Sequence, residues 1–131
     1  MKFVIGVIFV AVLISSVALA EWSPEAVAEY DPIVKKIFSA LENGQYASLY
    51  DLYSAEAKKK ISLEKVMAKF EKIGRTFGRY KSSEITGATF YPNSTFLTYR
   101  AVFSKDEDVK VFFSFDPKDK KIQDVSIHHN Y

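Results

Sequence analysis

The alternation of apolar and polar residues in the last third of the chain constrains the fold most. Between Leu97 and Phe103, and again between Val109 and Phe115, every second residue is apolar. Successive strand residues face opposite sides of a sheet, so this period of two predicts strands with one apolar face. Such a face must be buried against another layer. The sequence therefore predicts a sheet that is covered on one side.

Turn signals divide the region from residue 80 onwards into four strands, with predicted loops at 91–95, 104–108 and 117–121. Matching the apolar positions across these loops predicts an antiparallel meander and its register. The predicted pairs are Phe103 with Val109, Ala101 with Val111, Tyr99 with Phe113, Leu97 with Phe115, Val125 with Phe113, Ile127 with Val111, His129 with Val109, Thr89 with Leu97, Gly87 with Tyr99 and Ile85 with Ala101.

Two main helices are predicted before the sheet, because apolar residues recur at helical spacing. Asp31 is the predicted cap of the first and Ser62 of the second. The predicted ends are Gly44 for the first helix, and Gly74 with Gly78 for the second. Shorter helical segments are predicted at 45–53 and 54–61. We therefore predict an α+β fold in which N-terminal helices pack on one face of a curved four-stranded antiparallel meander.

Residues 1–20 combine a positive charge at Lys2, an apolar stretch and an Ala-Leu-Ala ending, the pattern of a cleavable secretory signal. Cleavage is predicted after Ala20. The alternative is an uncleaved membrane anchor, because the apolar stretch is only slightly shorter than the roughly 20 residues of a spanning helix. The predicted organisation is a signal peptide at 1–20, a lead segment at 21–31 and a single domain at 32–131. This predicts a secreted or periplasmic protein.

The chain contains no cysteine, so an exported form must rely on its core alone and has no thiol for metal or redox chemistry. Its basic residues are concentrated at 58–81, where nine stand against two acidic ones. This concentration indicates either a surface for an anionic lipid or polymer, or the solvated side of a helix, which we favour. Membrane contact is expected only through the signal peptide or this weak basic face. Nucleic acid is not an expected partner.

Five residues are predicted to face the space between helices and sheet and are candidates for binding a small apolar ligand: Tyr50, Tyr53, Tyr99, Phe113 and His129. An apolar pocket with a few hydroxyl groups is the usual design of a small-molecule site. The alternative, which we favour because the chain has so many aromatic residues, is that these side chains fill the core.

His128 and His129 are the only histidines, and as strand neighbours they point to opposite faces and cannot chelate one metal ion. No inward carboxylate is predicted to orient His129, so we expect a histidine without a catalytic role. The sequence also lacks the pattern of a Ser-His-Asp triad, a phosphate-binding glycine loop or a metal cluster. We therefore predict no catalytic residue, no metal site and no cofactor.

The other face of the predicted sheet carries its own apolar cluster. Phe96, Val102 and Phe112 lie there with Arg100 among them. An apolar cluster on a sheet surface usually marks an interface. These four residues predict a homodimer or a partner contact through the outer face.

The segments 41–46, 50–54, 61–65 and 74–78 resemble small exported domains of unknown function in the cystatin-like superfamily, which includes the nuclear-transport-factor-2-like proteins. The resemblance covers residues 32–127, and its motifs are structural. It implies a cone-shaped pocket between helices and sheet, and dimers through the outer face. Ketosteroid-isomerase-like and dehydratase members use a carboxylate or histidine base, but no residue-by-residue match to that set is present.

We expect an exported, non-enzymatic binding or interaction domain whose ligand the sequence does not identify. The alternative is a small enzyme of isomerase or lyase type that uses His129 with Tyr50 or Tyr99 in a pocket between helices and sheet. A deep cavity in which the histidine and a tyrosine hydroxyl converge favours the enzyme, and a filled interior excludes it.

Overall fold

A computed structural model describes residues 23–131, so the predicted signal peptide and its cleavage site lie outside the described residues. The helices are α1 Pro24–Ala28, α2 Asp31–Asn43, a 3₁₀ helix at Ala47–Leu52, α3 Ala55–Lys60 and α4 Leu63–Phe77. The strands are β1 Tyr80–Phe90, β2 Thr95–Phe103, β3 Asp106–Phe115 and β4 Ile122–His129. They form one antiparallel sheet in the order β1-β2-β3-β4. The predicted α+β fold is confirmed.

Short polar side chains start three of the helices. The hydroxyls of Ser23, Ser54 and Ser62 each accept a hydrogen bond from the backbone N–H three residues later, which satisfies a donor that the first helical turn leaves unpaired. The prediction of Asp31 as a cap is wrong by one position, since Tyr30 caps α2 and Asp31 is its first residue. Gly78 ends α4, whereas Gly74 lies inside it.

The helices cover one face of the sheet, and the core lies between the two layers. Ile37 of α2 and Phe70 of α4 are fully buried, as are the inward residues of the central strands. Tyr30, which precedes α2, also reaches the core, and its hydroxyl donates a hydrogen bond of 2.7 Å to the buried Thr95 Oγ1. Burial of these apolar side chains away from water is the main stabilising contribution to such a fold.

The predicted register between β3 and β4 is confirmed, with Val125 opposite Phe113, Ile127 opposite Val111 and His129 opposite Val109. The other two registers are wrong. Between β2 and β3 three pairs are shifted by two residues, to Leu97 with Phe113, Tyr99 with Val111 and Ala101 with Val109, and Phe103 pairs with Asp106 instead of Val109. Between β1 and β2 the pairs are Ala88 with Leu97, Gly87 with Thr98 and Ile85 with Tyr99.

Both errors coincide with an irregularity in the strand pairing. A two-residue turn, Ser104-Lys105, replaces the predicted five-residue loop, and an irregularity between Ala101 and Phe103 absorbs the difference. A second irregularity between Ile85 and Gly87 shifts β1 against β2. A shift of two residues leaves every side chain on its original face. The prediction of which residues face the core in β2 and β3 therefore survives the wrong register.

Candidate binding groove

Two of the predicted ligand-binding residues, Tyr99 and Phe113, lie in the filled core. Their rings meet edge to face with centroids 5.6 Å apart, and Phe38 packs against both at 5.4 and 5.6 Å. Phe113 is fully buried, and burial raises the pKa of Tyr99 to about 12, with a smaller contribution from the charge of Asp31. These aromatic contacts fill the region that the sequence offers as a candidate apolar pocket, with a filled core as the favoured alternative.

Tyr50 and Tyr53 lie elsewhere on the helical side, with ring centroids 6.5 Å apart. Tyr50 is partly exposed, and the ammonium group of Lys58 lies 5.1 Å from its ring centroid. The Tyr53 hydroxyl is buried without a hydrogen-bond partner among the described residues, and burial with the nearby charge of Asp124 raises its pKa. The structure thus places four of the predicted ligand-binding residues in two separate pairs, Tyr50 with Tyr53 and Tyr99 with Phe113.

An open groove of about 430 Å³ runs between α4 and β4. Buried apolar side chains form its base, and polar side chains with two lysines and both histidines form its rim. Its lining consists of Lys69, Lys72, Ile73, Thr76, Phe77 and the strand residues 124–129. An apolar base with a few polar groups is typical of a binding site.

The groove follows the free edge of β4, since this strand has only β3 as a sheet neighbour. The beginning of the edge is covered, because Ser54 N–H donates a hydrogen bond of 2.8 Å to the Ile122 carbonyl. Lys69 Nζ covers the middle by donating to the Val125 carbonyl, and it also lies 3.5 Å from Asp124 Oδ1. The last part of the edge remains open to the groove.

His129 lies at the far end of the groove, where it packs against Phe77 with ring centroids 4.7 Å apart. Its Nδ1 contacts Asp106 Oδ2, and the Tyr131 hydroxyl lies 3.2 Å from both of these atoms. The side chain of His129 is 44 % exposed. A carboxylate that holds one ring nitrogen of a histidine fixes the orientation of the ring.

Asp106 is the partner of His129 and is not among the residues predicted from the sequence. The predicted loop at 104–108 placed Asp106 outside the sheet, whereas the two-residue turn makes it the first residue of β3, opposite Phe103. The turn is fixed by the end of α4, because Lys105 N–H donates a hydrogen bond to the Phe77 carbonyl at 2.9 Å. No local sequence signal specifies this contact between distant segments. The one sequence signal near this contact is the predicted pairing of His129 with Val109, which places His129 beside the start of β3.

The pKa of the Asp106 carboxyl group is lowered from its ordinary value. The main cause is the hydrogen bond of 3.0 Å that Asp108 N–H donates to it, and the contact with His129 adds to the effect. A carboxyl group whose pKa is lower in the folded than in the unfolded chain stabilises the fold above the unfolded pKa, about 3.9. That contribution is lost as the pH falls through the folded value.

We therefore expect Asp106 to titrate below pH 3.9 in an NMR titration, and Asp106→Asn to unfold at a lower urea concentration near neutral pH. The difference in stability between wild type and Asp106→Asn should shrink as the pH falls below about 4, and should be lost below the lowered pKa of Asp106, where the folded wild-type carboxyl group is also neutral. Glu107→Gln removes a neighbouring exposed carboxyl group and serves as the control. Titration of Asp106 at or above 3.9 would contradict the assignment.

The predicted interface residues share the outer face of the sheet. Phe96 and Phe112 stack with ring centroids 6.0 Å apart, and Phe112 is 40 % exposed. Arg100 forms an ion pair of 2.9 Å with Asp108, and Val102 is half-buried. The structure brings these residues onto one surface, and their role in an interface stays a prediction.

Three other grooves of the described region are each lined by at most one buried apolar side chain. One of them, of about 480 Å³, lies beside α2, where Ala40 and Leu52 are the apolar side chains among lysine, serine and glutamine. Within residues 23–131 no group of three or more potential metal ligands is found. In the same range, none of the helices has the length and apolar character needed to cross a membrane. The groove between α4 and β4 is therefore the best candidate site.

Comparison with known protein families matches residues 34–124 to a family described as a protein of unknown function, DUF3887. No curated protein matches the chain. The matched residues run from α2 into β4, so they include both main helices and most of the sheet. The chain therefore belongs to the DUF3887 family of proteins of unknown function.

Proposed function

We propose that this protein is an exported binding domain whose binding site is the groove between α4 and β4. The carrying observation is that this groove is open and apolar at its base, whereas the interior between helices and sheet is filled by aromatic side chains. Its volume of about 430 Å³ lies within the range of ordinary ligand sites. The proposal keeps the binding function predicted from the sequence and moves the site to the sheet edge.

The enzymatic alternative receives less support. It requires His129 to meet the hydroxyl of Tyr50 or Tyr99 in a deep cavity, but His129 instead contacts Asp106 and Tyr131 at the surface. Tyr99 is buried in the core among other aromatic residues. A non-enzymatic member of the cystatin-like superfamily, in which aromatic residues fill the usual pocket, agrees with these positions.

The proposal is tested by native mass spectrometry of the full chain isolated from its own cells, under conditions that retain bound molecules. We expect the wild type to carry a bound molecule and Thr76→Trp to lose it, because a large side chain at this exposed position fills the groove. Ala68→Trp is the matched control, since Ala68 is exposed on the same helix and does not line the groove. The same spectrum should show a chain that begins at Glu21.

Equal occupancy of the wild type and Thr76→Trp would place the ligand elsewhere and refute the proposed site. A spectrum of the wild type without any bound molecule would count against a binding function. A chain mass that includes residues 1–20 would contradict cleavage after Ala20 and favour the uncleaved anchor.

The outer face of the sheet supports a second proposal, a homodimer. The half-exposed pair Phe96 and Phe112 gives two copies a flat aromatic surface to bury against each other. We expect Phe112→Glu to halve the mass measured by light scattering and to leave the circular dichroism spectrum unchanged. Lys118→Glu, an exposed site in the turn between β3 and β4 and outside this face, is the control. An unchanged mass in Phe112→Glu would exclude this interface.

A further inference from the structure

The open part of the β4 edge presents unpaired backbone groups. The Val125 carbonyl points away from β3, since it accepts a hydrogen bond from Lys69. Backbone groups of an antiparallel strand alternate between its two edges, and the register is regular from Val125 to His129. The N–H and C=O groups of Ile127 and His129 therefore also point away from β3. Within residues 23–131 neither residue makes a backbone hydrogen bond outside the sheet.

An extended polypeptide laid along this edge would lie inside the groove. Ile73 and Phe77 of α4 form the base of the groove together with Ile127 of β4. Addition of a strand to a free edge gains affinity from main-chain hydrogen bonds and specificity from pockets for alternate side chains. Lys69 already donates a hydrogen bond to the Val125 carbonyl. An added strand can therefore pair with β4 only between Ile127 and His129.

The helical wall of the groove is basic, which selects the chemistry of the occupant. Lys72 is exposed in the groove and forms no ion pair among residues 23–131. Lys69 is neutralised only by the exposed Asp124. Residues 58–81 carry nine basic side chains against two acidic ones. Acidic side chains on an added strand complement this wall, whereas basic ones are repelled.

A second copy of the chain fits the edge less well. Two β4 strands paired about a two-fold axis would place both helical layers on the same face of the joined sheet. The α4 helices would then be neighbours, and the lysines of one copy would face those of the other. Like charges placed opposite each other at an interface are unfavourable.

We infer that the groove binds an acidic, extended segment of a partner polypeptide, which adds a strand to β4 at Ile127 and His129. This inference rests on the proposed function, because it names the partner class for the same groove. It explains why an edge strand that is covered at Ile122 and Val125 is left open at its end. A free edge of this kind is a template for strand pairing.

The test uses a synthetic heptapeptide that alternates glutamate and valine, added to the full mature chain and followed by NMR. We expect amide exchange at Ile127 and His129 to slow at least tenfold, since a paired N–H is protected from solvent. A heptapeptide with lysine in place of glutamate should bind at least tenfold more weakly, and raising the salt concentration should reduce that difference. A heptapeptide N-methylated on its pairing face lacks donors and should not bind.

Two protein variants sharpen the test. Ile127→Pro removes the free N–H at a position where an edge strand tolerates proline, and it should abolish peptide binding. Lys72→Glu should weaken binding of the glutamate peptide at least tenfold and leave the fold intact. Lys65→Glu is the control, because Lys65 is exposed on the same helix and outside the groove.

The outcomes separate this inference from the proposed function. If Thr76→Trp releases a bound molecule but the glutamate peptide does not protect Ile127 and His129, the groove is a binding site and the strand inference is wrong. Equal binding of the N-methylated peptide would overturn strand addition, and equal binding of the lysine peptide would overturn the acidic partner. Binding to anionic vesicles without peptide binding would assign the basic wall to a lipid surface and refute the inference.

Discussion

Replacing Gly78 with alanine is expected to lower the free energy of unfolding by roughly 3 to 5 kcal/mol. Gly78 ends α4 with φ 84° and ψ −148°, a backbone conformation essentially reserved for glycine. A Cβ atom there would also overlap Ser104 Oγ and lie 3.1 Å from Lys105 N. Backbone strain and steric overlap therefore add. The corresponding fall in melting temperature is at least about 10 °C, measurable by circular dichroism.

Gly87→Ala is the matched control for this prediction. A Cβ atom at Gly87 would meet only Thr98, at 3.9 Å or more, which is ordinary van der Waals contact. Glycine in a strand interior costs conformational entropy, so alanine there should leave stability unchanged or raise it by about 0.5 kcal/mol. Equal melting temperatures for Gly78→Ala and the wild type would mean that the turn at Ser104 does not pack against the end of α4.

Replacing Phe113 with alanine is expected to cost about 3 to 5 kcal/mol, the usual range for a fully buried phenylalanine. Its ring contacts Phe38, Tyr99 and Phe115 at centroid distances of 5.4 to 5.6 Å, and none of its surface is exposed. Removal would leave a cavity that this close packing cannot fully close. The measurement is the midpoint of urea unfolding, monitored by far-ultraviolet circular dichroism.

Phe112→Ala is the control, since the neighbouring side chain points to the outer face and is 40 % exposed. It should change the free energy of unfolding of the monomer by less than about 1 kcal/mol. A small effect of Phe113→Ala, similar to that of Phe112→Ala, would mean that the interior is loosely packed around this side chain. That result would restore the ligand pocket predicted between the helices and the sheet.

Local sequence signals were sufficient for the elements and their faces. Ser62 caps α4 and Gly44, with φ 71°, ends α2, both as predicted, and Ser23 and Ser54 cap α1 and α3 in the same way. Each of these signals acts within one helical turn of the residue that carries it. The period of two in β2 and β3 likewise identified the buried face, because it depends only on the direction of successive side chains.

Long-range contacts decided the register and the candidate site. The turn Ser104-Lys105 is two residues long because it packs against the end of α4, where Lys105 N–H bonds the Phe77 carbonyl. That contact makes Asp106 a strand residue and the partner of His129, a pairing that the sequence pattern does not predict. Residues separated by more than 20 positions meet here, so no local pattern predicts the pair.

The sequence by itself determined an α+β chain with helices before a meander and an apolar face on its sheet, since helix caps and side-chain periodicity act locally. Only the tertiary structure decided which space is filled and which is open. Aromatic rings from α2, β2 and β3 close the interior, while α4 stands away from β4 and leaves a groove along a free edge. Whether side chains touch across two layers depends on their packing in three dimensions, and periodicity carries no information about it.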